Sequence, residues 1–143
     1  MNFRSKESEK YALASLKAAG GNVDTIVMTL LCEELKLRNE KSKVLIVISD
    51  GAPCGSENTR YCKSYRGVPF KIPEDFPGYF DVADQELNAC IRYWRKKGIK
   101  IIGIALDDVK KIKAIYEEGC LDCRDLSKLP VELVKIFKKY VLK

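Results

Sequence analysis

Histidine is absent from this chain of 143 residues. Without an imidazole, the chain supplies no Ser-His-Asp triad, no Cys-His dyad and no histidine metal ligand. A histidine pH switch is excluded for the same reason. The commonest classes of hydrolase and zinc enzyme are therefore disfavoured before any motif is considered, and we expect the chain not to be an enzyme.

Long apolar runs are also missing. No stretch approaches the roughly 20 residues that a membrane-spanning helix needs. The first ten residues are polar and charged, so we expect no secretory signal and no membrane partner. Six cysteines in a chain without such a signal are typical of reduced thiols, which predicts a cytoplasmic location.

A strong excess of charge of one sign is also missing. The chain has 26 lysines and arginines against 20 acidic residues, which gives a net charge of +6. The cations are spread along the chain, with small clusters at 95–97 and 138–139. This distribution favours solvated helix surfaces over a nucleic-acid interface. The length predicts a single domain over residues 1–143.

Two segments, 44–48 and 99–106, are apolar on both faces, as buried parallel strands are. Apolar residues at helical spacing lie at 23–35, 83–94, 109–116 and 133–141, and a weaker helix is expected at 5–18. A short third strand is expected near 121–126. This alternation predicts an α/β fold with a parallel sheet and right-handed crossovers. A long loop at 52–81 interrupts it.

Two oxygen-rich motifs lie where a ligand is expected in such a sheet. Ser49 and Asp50 end the first strand, and ligands of open α/β sheets bind beyond the carboxyl ends of the strands. Asn22 and Asp24 open the preceding helix after two glycines. Their oxygen atoms suit a hard cation such as Mg²⁺. The alternative is that these side chains only cap the helix and close a turn.

Taken together, Gly-Gly-Asn-Val-Asp-Thr at 20–25 and Ser-Asp-Gly-Ala-Pro at 49–53 resemble the von Willebrand factor A family. The similarity spans residues 18–140 and is closest to the cobaltochelatase-subunit and nitric-oxide-reductase-activation type. It implies a three-layer, Rossmann-like parallel sheet with a divalent cation at its carboxyl edge. In this resemblance Asn22 matches the family's second metal loop, with Asp24 close by, and Asp50 matches the third. With Ser49 beside Asp50, the predicted metal residues are Asn22, Asp24, Ser49 and Asp50. It also implies a protein partner, in a metal-chelatase or other complex with an AAA+ ATPase.

The chain departs from this pattern because it has no Asp-x-Ser-x-Ser loop and lacks the family's first strands. The resemblance is therefore to the C-terminal half of the domain, and the metal site is incomplete, since Mg²⁺ usually takes more oxygen ligands. Strand 44–48 becomes an apolar edge, and such edges pair with other chains. We expect a homodimer or swapped oligomer that hides this edge. An inactive gene fragment or a split domain is the alternative.

The cysteines give weaker signals. Cys120 and Cys123 have CxxC spacing, but zinc needs four ligands, and Cys54 is expected at the opposite edge of the sheet. A redox CxxC normally opens a helix directly after a strand, whereas this one precedes a strand. We therefore expect neither role. Cys32 and Cys90 lie on or beside apolar helix stripes and are predicted core residues.

The loop at 52–81 combines aromatic and basic residues. Its aromatic residues are Tyr61, Tyr65, Phe70, Phe76, Tyr79 and Phe80, and its cations are Arg60, Lys63, Arg66 and Lys71. Such a loop beside the ligand edge either binds a partner or pins itself to the domain. The sequence as a whole predicts a protein-protein interaction module. The alternative is an Mg²⁺-dependent adhesion or assembly domain, and a hydrolase using Asp24 and Asp50 is least favoured.

Overall fold

The computed structural model describes residues 23–53, 74–75, 77 and 81–140. Its strands are β1 (Val44–Ser49), β2 (Lys100–Ala105) and β3 (Cys120–Asp122). Its α-helices are α1 (Asp24–Lys36), α2 (Val82–Lys96), α3 (Val109–Tyr116) and α4 (Leu129–Tyr140). Short 3₁₀ turns cover Glu117–Gly119 and Leu126–Lys128. The helix expected at 5–18 and nearly all of the loop at 52–81 lie outside the described residues.

The three strands form one parallel sheet in the order β1-β2-β3. In the register, Val44 lies opposite Lys100 and Gly103 lies opposite Cys120. β1 connects to β2 through α2, and β2 connects to β3 through α3. The isoleucine-rich β2 occupies the centre of the sheet, and five of its six residues are buried. β-branched residues such as isoleucine suit a pleated surface of this kind. The predicted α/β class with a parallel sheet is confirmed.

Helices cover both faces of the sheet. On one face, α1, α2 and α3 pack over Ile101 and Ala105 with Leu45 and Val47 of β1 alongside. On the other face, α4 packs over Ile102 and Ile104 through a stripe of four residues, which are Leu129, Leu133, Ile136 and Tyr140. Odd and even positions of each strand thus enter separate cores, as period-two alternation requires. No helix in the described part of the chain has the length and apolarity needed to cross a membrane.

Some local predictions need correction. The residue that caps α1 is Val23, and no side chain caps this helix, so Asp24 belongs to its first turn instead. The third strand is shorter than predicted because the chain bends after Cys123 into a 3₁₀ turn. Gly98 follows α2 and ends it, with φ +88° in the left-handed region that favours glycine.

Gly103 allows the closest approach between helix and sheet. A Cβ atom at this position would overlap the ring of Tyr116, which is wholly buried at the end of α3. Glycine is therefore required there so that the tyrosine ring can lie over the middle of β2. This contact helps to hold α3 against the sheet.

Candidate functional site

The turn after β1 contains two of the predicted metal residues. The hydroxyl of Ser49 accepts a hydrogen bond from the Gly51 N–H at 3.1 Å, and the exposed carboxylate of Asp50 accepts one from the Ala52 N–H at 3.1 Å. Gly51 has φ +96°. The Asp50 carbonyl also accepts a hydrogen bond from the Asp108 N–H, at 3.2 Å. These contacts close the turn and join it to the start of α3.

Asp24 occupies a different environment. It is half-buried in the first turn of α1. Burial raises the pKa of Tyr116, and the negative charge of Asp24 adds to that rise. Asn22, the fourth predicted metal residue, lies outside the described residues.

No three histidine, cysteine, aspartate or glutamate side chains among the described residues form a group that could hold a metal ion. Ser49 and Asp50 are brought together, as expected for consecutive residues of one turn. Their observed hydrogen bonds correspond to the turn-closing alternative. The cation site at Asn22, Asp24, Ser49 and Asp50 stays a prediction.

The CxxC cysteines do not converge. Cys120 begins β3 and packs with the α1–α3 core, whereas Cys123 belongs to the core under α4 on the other face. A separation of three residues along an extended chain places side chains on opposite faces. The predicted core positions of Cys32 and Cys90 are confirmed: both are wholly buried, and burial raises the pKa of each thiol to about 12.

The outer edge of β1 is the most distinctive feature of the sheet. At the start of the ladder, the Lys100 N–H donates to the Lys43 carbonyl at 2.9 Å. Backbone groups of successive residues alternate in direction along a strand, so the odd-numbered residues bond to β2. The backbone groups of Val44, Ile46 and Ile48 therefore point away from β2. Among the described residues, β1 has no second neighbour in the sheet.

One apolar side chain of this edge is half exposed. Ile48 is 50% exposed, although it continues the series of β1 residues that α4 covers at Val44 and Ile46. Two helices also carry half-exposed apolar residues, Val27, Leu30 and Leu31 on α1 and Val131, Val134 and Phe137 on α4.

A polar contact between α2 and α3 escaped the sequence prediction. The wholly buried Asn88 donates from its side-chain amide to the Ile115 carbonyl at 2.8 Å. Arg92 donates to the Glu117 carboxylate at 2.7 Å, and Arg95 donates to the Tyr116 carbonyl at 2.9 Å. Positions 84, 88, 92 and 95 share one face of α2, so helical spacing could have identified them. The contact fixes α3 and thereby supports the turn that carries Asp50.

Comparisons of the chain with protein-family models, with curated proteins and with solved structures find no match. The function proposed below therefore rests on the sequence motifs and on the geometry of the described residues.

Proposed function

We propose that this chain is a protein-protein interaction module that pairs with a second copy of itself through the outer edge of β1. The single observation that supports this most directly is the direction of the backbone groups of Val44, Ile46 and Ile48, which point away from β2. An apolar strand with outward-pointing N–H and C=O groups is a template for another strand. Pairing would satisfy these groups and bury Ile48.

A two-fold axis perpendicular to the sheet gives the simplest arrangement. It makes the two β1 strands antiparallel neighbours and joins two three-stranded sheets into one of six strands. Each copy contributes the same edge, so the contact is self-complementary and assembly stops at the dimer. Burial of apolar surface stabilises the dimer by about 25 cal/mol per Å², which offsets the entropic cost of association.

We further propose that the three strands correspond to the C-terminal half of a von Willebrand factor A-type sheet. The motifs at 20–25 and 49–53 support this, as does the position of Asp50 at the carboxyl end of β1. On this proposal, the second copy takes the place of the strands that precede β1 in the family. An AAA+ ATPase of a metal-chelatase type of complex is then the expected further partner.

Sedimentation equilibrium of the full chain at micromolar concentration tests the self-pairing. Ile48→Lys places a charge on the half-exposed end of β1, where it should block strand pairing without disturbing the core. Leu126→Lys is the matched control because Leu126 is 61% exposed and follows β3, on the far side of the sheet. Wild type and Leu126→Lys should sediment as dimers, and Ile48→Lys as a monomer with the same circular dichroism. A monomeric wild type, or an equally dimeric Ile48→Lys, would overturn the proposal.

A further inference from the structure

The amino ends of β1 and β2 and the carboxyl ends of three helices meet at one edge of the sheet. The Lys100 N–H donates to the Lys43 carbonyl, which sets the starts of the two strands side by side. The ammonium group of Lys43 donates to the carbonyl of Lys36, the last residue of α1, at 3.1 Å. The hydroxyl of Ser42 and the ammonium group of Lys100 donate to the carbonyl of Tyr140, the last residue of α4, at 2.7 and 3.3 Å. Helix α2 ends directly before β2 and therefore ends at the same edge.

Lysines are concentrated at this edge. The basic edge consists of eight lysines, which are Lys36, Lys41, Lys43, Lys96, Lys97, Lys100, Lys138 and Lys139. Seven of them are exposed, and Lys43 is half-buried. The rest of the chain has 18 basic residues against 20 acidic ones, so these eight lysines account for the entire positive net charge of the chain.

The fold uses only some of these lysines. Lys43 and Lys100 donate to helix carbonyls, as cations near the carboxyl ends of helices often do. The other six donate to no helix carbonyl in the described part of the chain. None of the eight forms an ion pair with a described carboxylate, whereas Arg38 nearby pairs with Glu34. The basic edge therefore presents its positive charge to an external anion.

Leu37 adds an exposed apolar side chain to the basic edge. It caps the carboxyl end of α1, between Lys36 and Arg38, and is 84% exposed, more than any other large apolar residue that the structure describes. Phe137, which is 51% exposed, directly precedes Lys138 on α4. Basic residues around exposed apolar ones are typical of surfaces that bind anionic membranes, where the cations contact headgroups and the apolar side chains enter the interface.

A nucleic acid fits the basic edge less well. Its backbone offers phosphates to the lysines but no apolar partner for Leu37. Proteins that bind single strands also use aromatic rings that stack on bases. The ring of Tyr140 instead has the ammonium groups of Lys100 and Lys139 over it, at 5.4 and 4.9 Å from its centre. These contacts favour a lipid surface as the partner.

We propose that the basic edge binds an anionic lipid surface, with Leu37 entering the interface between the headgroups. The contact is peripheral, and charge and a shallow apolar insertion hold it together. The basic edge lies within one copy of the chain, so this inference does not rest on the β1 pairing.

Co-sedimentation of the full chain with vesicles tests the proposal. At about 0.1 M salt, the chain should pellet with phosphatidylcholine vesicles that contain about 30% phosphatidylserine, and it should stay in solution with phosphatidylcholine alone. Raising the salt to about 0.5 M should release most of it, because the lysine charges are then screened. Failure to bind the phosphatidylserine vesicles, or equal binding to both kinds, overturns the proposal.

Two double variants of unchanged circular dichroism locate the contact. Lys41→Glu with Lys96→Glu reverses two exposed charges of the basic edge and should weaken vesicle binding about 25-fold or more, because each lysine near an anionic surface contributes about fivefold. Lys110→Glu with Lys128→Glu makes the same charge change beyond the carboxyl ends of β2 and β3 and should weaken binding less than about threefold. Equal losses in the two variants contradict a contact at the basic edge.

Leu37→Ala separates a lipid surface from other polyanions, since it leaves every charge in place. It should weaken binding to the phosphatidylserine vesicles about threefold or more, because less apolar surface enters the interface. Leu126→Ala, at an exposed site after β3, should leave the binding unchanged. Vesicle binding that Leu37→Ala does not alter overturns the lipid assignment. Tighter binding to a short RNA duplex at the same phosphate concentration does so too, and makes a nucleic acid the partner.

Discussion

The carboxylate of Asp84 on α2 lies 3.1 Å from the ammonium nitrogen of Lys111 on α3. Asp84 is buried, while Lys111 keeps 22% of its side chain exposed. Burial raises the pKa of Asp84, Lys111 acts in the opposite direction, and Asp81, 3.8 Å from the same ammonium group, adds to the rise. The pair therefore joins two helices at a net cost in desolvation.

This raised pKa predicts how stability depends on pH. An aspartate whose folded-state pKa exceeds its unfolded value of about 3.9 stabilises the folded protein below that value. The contribution is lost as pH rises through the folded-state pKa. The amide side chain of the Asp84→Asn variant does not titrate. We therefore compare the free energy of unfolding of wild type with that of the variant, and the difference, wild type minus variant, should decrease from acidic to neutral pH. Urea unfolding at a series of pH values measures this difference.

Lys111→Met provides the control for that experiment. Removing the ammonium group removes the influence that lowers the pKa of Asp84, so the fall with pH should become larger. In an Asp84→Asn background the same lysine change should add no such pH dependence. A difference between wild type and Asp84→Asn that is flat or rises with pH would contradict the assignment.

The contact between Gly103 and Tyr116 gives a second prediction. Gly103→Ala introduces a Cβ that overlaps the tyrosine ring and should lower the free energy of unfolding by about 1–3 kcal/mol. In a Tyr116→Leu background the added methyl group has more room, so the same change should cost less. Urea unfolding of the four proteins gives the coupling energy. Identical costs in both backgrounds would show that the ring does not set the requirement for glycine.

Much of this fold follows from sequence because its strands and helices have strong local patterns. Residues 44–48 are apolar without interruption, and the structure extends that strand by only one residue, to Ser49. Gly98 ended α2 where glycine in the left-handed region is expected. Strands and helices alternate along the chain, and the rules for connecting them then permit few sheet topologies other than a parallel one.

The remaining features depend on contacts between distant segments. Ala83 was assigned to the buried stripe of α2, yet it is half-buried, and the wholly buried residue is Asp84. Burial of the Asp84 carboxylate is tolerated because the ammonium group of Lys111, on another helix, lies beside it. No local sequence pattern reveals this contact. The motif at Ser49 and Asp50 also does not distinguish a closed turn from a cation site, because both use the same side-chain oxygen atoms. In the structure these oxygen atoms accept the hydrogen bonds that close the turn.

The opposite placement of Cys120 and Cys123 predicts their redox chemistry. Because the two side chains enter different cores, on opposite faces of the sheet, they should form no disulfide with each other while the protein stays folded. Incubation with oxidised glutathione followed by peptide mass spectrometry measures this directly. Unfolding in urea removes the sheet, so the same treatment should then join the two cysteines across their short loop. A Cys120–Cys123 disulfide that forms at equal rates in the folded and unfolded protein would contradict the placement of β3, because only a chain free of that strand allows the two sulfur atoms to meet.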